Sequence, residues 1–110
     1  MDQRDIDRIL NGRQRRPTHP GELLREEVLP AAKLTQLELA RHLGVSRKTV
    51  SEIVLGQRQV TVDMAVRLGR FFGNGPGLWL RMQEAVDLWD AIARHRKAYT
   101  AIKPLKVNVA

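Results

Sequence analysis

The sequence predicts an all-α domain of five helices, the last of them long, and three observations carry that prediction. Apolar residues recur at helical spacing through most of the chain, whereas β-branched runs are scarce. Helix-starting hydroxyl residues precede the apolar runs at Thr35, Ser46 and Thr61. Glycines follow at Gly44 and Gly56, where a helix end favours positive φ.

Composition bounds the answer. The chain has 110 residues, 43% of them hydrophobic, which suits a single core. It carries 19 Lys+Arg against 12 Asp+Glu, a formal net charge of +7. Such a surplus favours polyanionic partners through counterion release and steering, although plain solubility is the simpler use of it. No cysteine is present, which excludes disulfides and thiolate metal sites. His19, His42 and His95 lack metal-ligand spacing, and neither a Gly-rich phosphate loop nor a nucleophile elbow occurs. No metal, cofactor or catalysis is therefore expected. The charged start MDQRDIDRIL is unlike a signal peptide, and no apolar run approaches the roughly 20 residues of a membrane span. A cytoplasmic protein with no membrane contact follows.

Residues 1–16 read as a flexible polar N-terminal arm, with a short helix over Ile6 to Leu10 broken at Asn11-Gly12. Its basic cluster suits a solvated tail or contacts with backbone phosphates. The folded domain is expected over 17–95. In THPGELLREEVLP, proline and acids occupy the first helical turn, Leu23, Leu24 and Val28 share a side, and Pro30 ends the helix. Thr35 and Glu38 have the capping-box spacing for a second helix, with Leu37, Ala40 and Leu43 (or Leu39) facing the core. Ser46 caps a third, whose Val50, Ile53 and Val54 point inward, and Val45 plugs the corner between the two. Thr61 caps a fourth helix carrying Met64, Ala65, Leu68, Phe71 and Phe72 to the core. After the loop GNGPG, Pro76 opens a fifth that runs to about Arg94.

Beyond it, 96–110 forms a basic C-terminal tail. There Leu105, Val107 and Val109 alternate as in a short terminal strand, a pattern that Pro104 opposes. A disordered cationic end and an edge strand both fit.

The second and third helices stand out. Each is about nine residues long, and the turn between them contains glycine, the signature of a helix-turn-helix. In that motif the N-terminal part of the second helix meets base edges in the DNA major groove. Ser46, Arg47, Lys48 and Thr49 lie there, followed by Ser51 and Glu52. Arginine and lysine donate to guanine, threonine offers its methyl to thymine, and a glutamate accepts from cytosine. Gln36 can reach a phosphate from the N-terminus of the first helix of the pair, and Gln57, Arg58 and Gln59 follow the second as backbone contacts. A merely solvated basic face competes with this reading for Arg47 and Lys48. RNA binding is disfavoured because the few aromatics sit mostly at core positions.

On the fifth helix Leu78, Met82, Ala85, Trp89 and Ile92 make one seam, widened by Trp79, Val86 and Ala93, while Leu80, Leu88 and Ala91 fall on another side. Full burial in the monomer and self-association both satisfy two apolar faces. Self-association is preferred, because a two-fold dimer presents paired reading helices to a palindromic site. Its candidate interface residues are Leu80, Leu88, Trp89 and Ile92.

QLELARHLGVSRKTVSEIVLGQRQVTVDMAVRLGRFF resembles the Cro-like helix-turn-helix domain of phage repressors. With HPGELLREEVLP before it and GLWLRMQEAVDLW after it, the chain is similar to the HigA-type antitoxins, antidote proteins of plasmid maintenance systems, over about residues 17–95. The resemblance implies a homodimeric repressor that binds double-stranded DNA at its own operator and neutralises a small toxin of the ribosome-dependent mRNA-cleaving class. It places Gln36, Ser46, Arg47, Lys48, Thr49, Ser51 and Glu52 at the family's DNA-contacting positions. Leu55 departs from it, since Cro-like domains often carry asparagine before the glycine, and the departure removes a phosphate donor. A solitary transcriptional regulator with no cognate toxin is the alternative.

Overall fold

Four helices start where a side chain takes a free backbone N–H, and left-handed Lys33, Gly44 and Gly73 end three of them. The computed structural model describes residues 4, 6, 8 and 15–106. Its first fully described helix, α1, is α-helical over Pro20–Leu23, π-helical over Leu24–Val28 and α-helical again over Leu29–Ala32. α2 spans Gln36–Leu43, α3 Arg47–Val54, α4 Val62–Phe72 and α5 Gly77–Ala101. Thr35 Oγ1 accepts from the Glu38 N–H at 3.1 Å while the Glu38 carboxylate accepts from the Thr35 N–H at 3.0 Å, completing the capping box. Ser46 and Thr61 cap α3 and α4 in the same way, through the N–H groups of Thr49 and Met64.

The HPGE lead-in is a docking device. His19 Nδ1 accepts from the Gly21 N–H at 2.9 Å, and Pro20 opens the helix at a position that needs no donor. Gly21 is buried against α3, where a Cβ would lie 1.7 Å from the Ile53 carbonyl oxygen. Only glycine lets the two backbones approach so closely. Arg16 then ties the segment before α1 to α5, donating from Nε and Nη2 to the Asp90 carboxylate, both at 2.7 Å.

Core residues come from all five helices, among them Leu24, Leu39, Ala40, Ile53, Leu68 and Trp79. Four details differ from the expectations above. Leu37 is exposed and Leu39 is buried, because the two point about 200° apart and the face with Ala40 and Leu43 is the covered one. Pro30 does not end α1; the π-helical turn before it carries the Leu29 N–H back to Leu24 O, and the helix closes at Lys33 in the left-handed region. α5 runs past Arg94 to Ala101, with one non-helical residue at His95, since no glycine or proline interrupts it before Pro104. Phe71 and Phe72 are half-buried, the first stacked on His42 at 4.7 Å between ring centroids.

Leu105 is exposed in irregular backbone, and no strand occurs among the described residues. Val107 and Val109, which carried the strand pattern, lie outside them, as does most of the expected 1–16 arm. Within that arm Ile6 is helical and buried, and it lines a cavity of about 370 Å³ with Leu88, Ala91, Ile92, Tyr99 and Ile102.

The α1 junction can be tested at both of its ends. Gly21→Ala should destabilise the fold by about 3 kcal/mol, since the added methyl must displace a carbonyl. Urea denaturation measures it, and a loss within about 0.5 kcal/mol would mean that the α1–α3 contact yields easily. Burial, and after it the charge of Arg16, lowers the His19 pKa from its ordinary value of about 6.5. The unfolded chain therefore takes up this proton first, so the contribution is complete above about pH 6.5 and is lost as the pH falls. His19→Asn keeps a capping oxygen without the titration. It should flatten the profile of stability against pH between about pH 7 and 5.

Candidate nucleic-acid interface

The corner between α2 and α3 is closed from behind. Gly44 sits at φ 70°, and the Val45 N–H returns to Ala40 O at 3.0 Å while the Val45 side chain packs on the core. Each helix of the pair has a terminal carbonyl satisfied by an arginine from elsewhere. Arg67 of α4 donates to Leu43 O at 2.9 Å, and Arg25 of α1 donates to Val54 O at 3.0 Å. Arg67 is itself held by Asp63 at 2.8 Å. These two arginines were not legible as helix-end ligands, because the partners are backbone atoms far along the chain.

With Val50, Ile53 and Val54 buried, α3 leaves Thr49, Ser51 and Glu52 partly exposed. Arg47 and Lys48 are exposed, and Arg47 has no hydrogen bond or ion pair among the described residues. Lys48 stands 3.8 Å from Glu52 with its side chain 83% exposed, a loose contact that either ion can leave. Gln36 is half-buried at the first position of α2.

Other expected contacts are already engaged within the chain. The Ser46 hydroxyl accepts from the Thr49 N–H at 3.1 Å and lies 2.9 Å from the Thr49 hydroxyl. Ser51 is half-buried. Glu52 accepts from Arg58 Nε at 3.0 Å, a pair that folds Arg58 back over the end of α3 instead of leaving the carboxylate open to a base edge. Gln57 is exposed beyond Gly56, and Leu55, the departure from the Cro-like pattern, is exposed at the helix end.

The sharp turn, the two capped helices and the unpartnered cation at the start of α3 form a complete helix-turn-helix. A helix-turn-helix family model matches residues 24–79. Antitoxin HigA-1 of Vibrio cholerae is 40% identical over 96 residues, 87% of this chain and 90% of that protein. The chain belongs to the HigA antitoxin family. A solved structure of the Pseudomonas aeruginosa antitoxin HigA with the higBA promoter is 43% identical, with a TM-score of 0.77 over 82% of this chain and 99% of that one. An uncharacterised HTH-type transcriptional regulator of Haemophilus influenzae is 41% identical over 77% of this chain and 78% of its own length.

In this HigA-family chain the four candidate interface residues of α5 separate. Leu88 is 40% exposed, and Leu80 and Trp89 are half-buried. Ile92 is fully buried within the single chain, in the cavity it shares with Ile6, so it underlies the surface and does not form it. The sequence seam could not show this, because Ile6, which lines the same cavity, is remote in the chain.

Arg47→Ala should cost roughly 1–3 kcal/mol on a specific site and little on random DNA if the side chain reads guanine. Equal losses on both duplexes in a mobility-shift titration would make it a phosphate contact.

Proposed function

We propose that this chain is the antitoxin of a HigB/HigA-type system, a homodimer that binds a palindromic operator, represses its own operon and neutralises a small mRNA-cleaving toxin. The observation that carries the DNA-binding part is the exposed, unpaired Arg47 beside Lys48 at the start of a rigidly cornered α3, on a chain of net charge +7. The promoter-bound relative supports the same reading. α3 enters the major groove, where Arg47, Lys48 and Thr49 meet base edges, and Ser46, through its cap, fixes the angle of that approach. Gln36, Ser51, Gln57 and Arg58 lie along the phosphates, with Glu52 orienting Arg58. The work is cytoplasmic and needs no cofactor. Among the described residues no helix is long and apolar enough to cross a membrane.

The dimer forms through α5, around the exposed Leu88 with Leu80 and Trp89 beside it. An interface across Arg47 and Lys48 would block the groove-reading surface, so the dimer contact is made on another surface. A second reading, a solitary transcriptional regulator, is favoured by the Haemophilus relative, whose identity to this chain is comparable. Co-expression with the product of the adjacent gene separates the two: toxicity relieved by this chain marks the antitoxin.

Footprinting on the DNA upstream of the chain's own gene should show two protected half-sites roughly 34–36 Å apart on one face, with affinity falling steeply in salt. Leu88→Glu should give a folded monomer that binds this DNA far more weakly, because the half-sites are then bound independently. Sedimentation and circular dichroism check it; a folded dimer would place the interface elsewhere.

A further inference from the structure

Two polar side chains are buried among the described residues, and one of them, Gln83 on α5, has no part in capping a helix. Its Oε1 accepts the Val60 N–H at 2.8 Å, and its Nε2 donates to Asp87 Oδ1 at 2.9 Å. Val60 is the last residue of the loop between α3 and Thr61, the cap of α4. In that loop Gln57, Arg58 and Gln59 are all exposed, and Arg58 is held by Glu52. At its start the loop hangs from the end of α3, through Gly56 N–H to Ile53 O and Gln57 N–H to Glu52 O. At its finish Val60 is pinned twice, by a side chain 3% exposed in the core and by its amide on Gln83.

The pin requires a side chain that accepts at one atom and donates at the next. A carboxylate at position 83 would accept from Val60 but repel Asp87, and an apolar residue would leave a buried N–H without a partner. The charge of Asp87 polarises the Gln83 amide and strengthens its carbonyl as an acceptor. Gln83 and Asp87 also line one polar cavity with Gln57, Arg58 and Gln59, so the pin and the loop share a wall.

We propose that Gln83, held by Asp87, is a positioning residue for DNA binding: it fixes the Val60 amide and thereby the backbone path that presents Gln57 and Arg58 to the phosphates. The inference rests on the DNA-binding reading above. Sequence alone could not find it, since a glutamine on an amphipathic helix reads as a surface residue.

The test is a polarity exchange in the full-length chain. Gln83→Glu should weaken binding to the duplex from upstream of the chain's own gene by about tenfold and lower its salt slope by about 1, the signature of a lost phosphate contact. It should also speed hydrogen exchange at the Val60 amide while the other core amides stay protected. Adding Asp87→Asn replaces the repelling charge with an amide donor, so that the introduced carboxylate accepts from it and from Val60 at once. The double variant should therefore recover affinity, salt slope and Val60 protection together. A Gln83→Glu variant that binds as the wild type despite a loosened Val60 amide overturns the proposal. So does a folded double variant that stays weak. If the wild-type chain itself fails to bind the duplex, the DNA-binding reading fails and this inference falls with it, whereas a binding wild type with an unaffected Gln83→Glu variant removes the inference alone.

Discussion

The contact on which the molecule depends is one between two backbones, the Gly21 Cα of α1 against the Ile53 carbonyl of α3. A methyl group cannot enter that gap, where a Cβ would stand 1.7 Å from the oxygen. With α1 that close, Arg25 reaches the last carbonyl of α3, Leu24 enters the core, and the His19 cap lies beside α5 where Arg16 meets Asp90. The position of α3 is thus set from its buried C-terminal side, and its N-terminal end is left free to meet a partner.

The basic residues divide by direction. Arg16, Arg25 and Arg67 turn inward to a carboxylate or to helix-end carbonyls, where each joins two elements distant in the chain. Arg58 is folded back on Glu52. Arg47 and Lys48 project outward. Net charge alone therefore overstates the basic surface left open, since several of these cations are already engaged within the chain.

α5 serves both the core and two surface features. Trp79 and Val86 are buried in it, and Gln83 on the same helix holds the loop after α3. One turn further, Leu88 opens onto solvent next to a cavity that Ile6 helps to line. The same helix therefore touches both the loop after α3 and an exposed apolar surface.

The sequence by itself determined the local events. Thr35 with Glu38, Ser46, Thr61 and Gly44 each act within a few residues of themselves, so the α2–α3 corner, the caps and the outward set at Arg47 and Lys48 were legible without coordinates. Composition likewise settled the lack of thiol chemistry. The tertiary structure decided whatever depends on a partner remote in the chain: Ile92 buried beside Ile6, Glu52 taken up by Arg58, and Gln83 beneath Val60. It also turned Leu37, expected in the core, outward and buried Leu39 instead, because helical periodicity yields two candidate faces and only the neighbouring helix selects one. The continuation of α1 through Pro30 belongs to the same class. Proline marks a lost hydrogen bond, but whether the helix stops or widens into a π turn depends on the packing that holds its next turn in place.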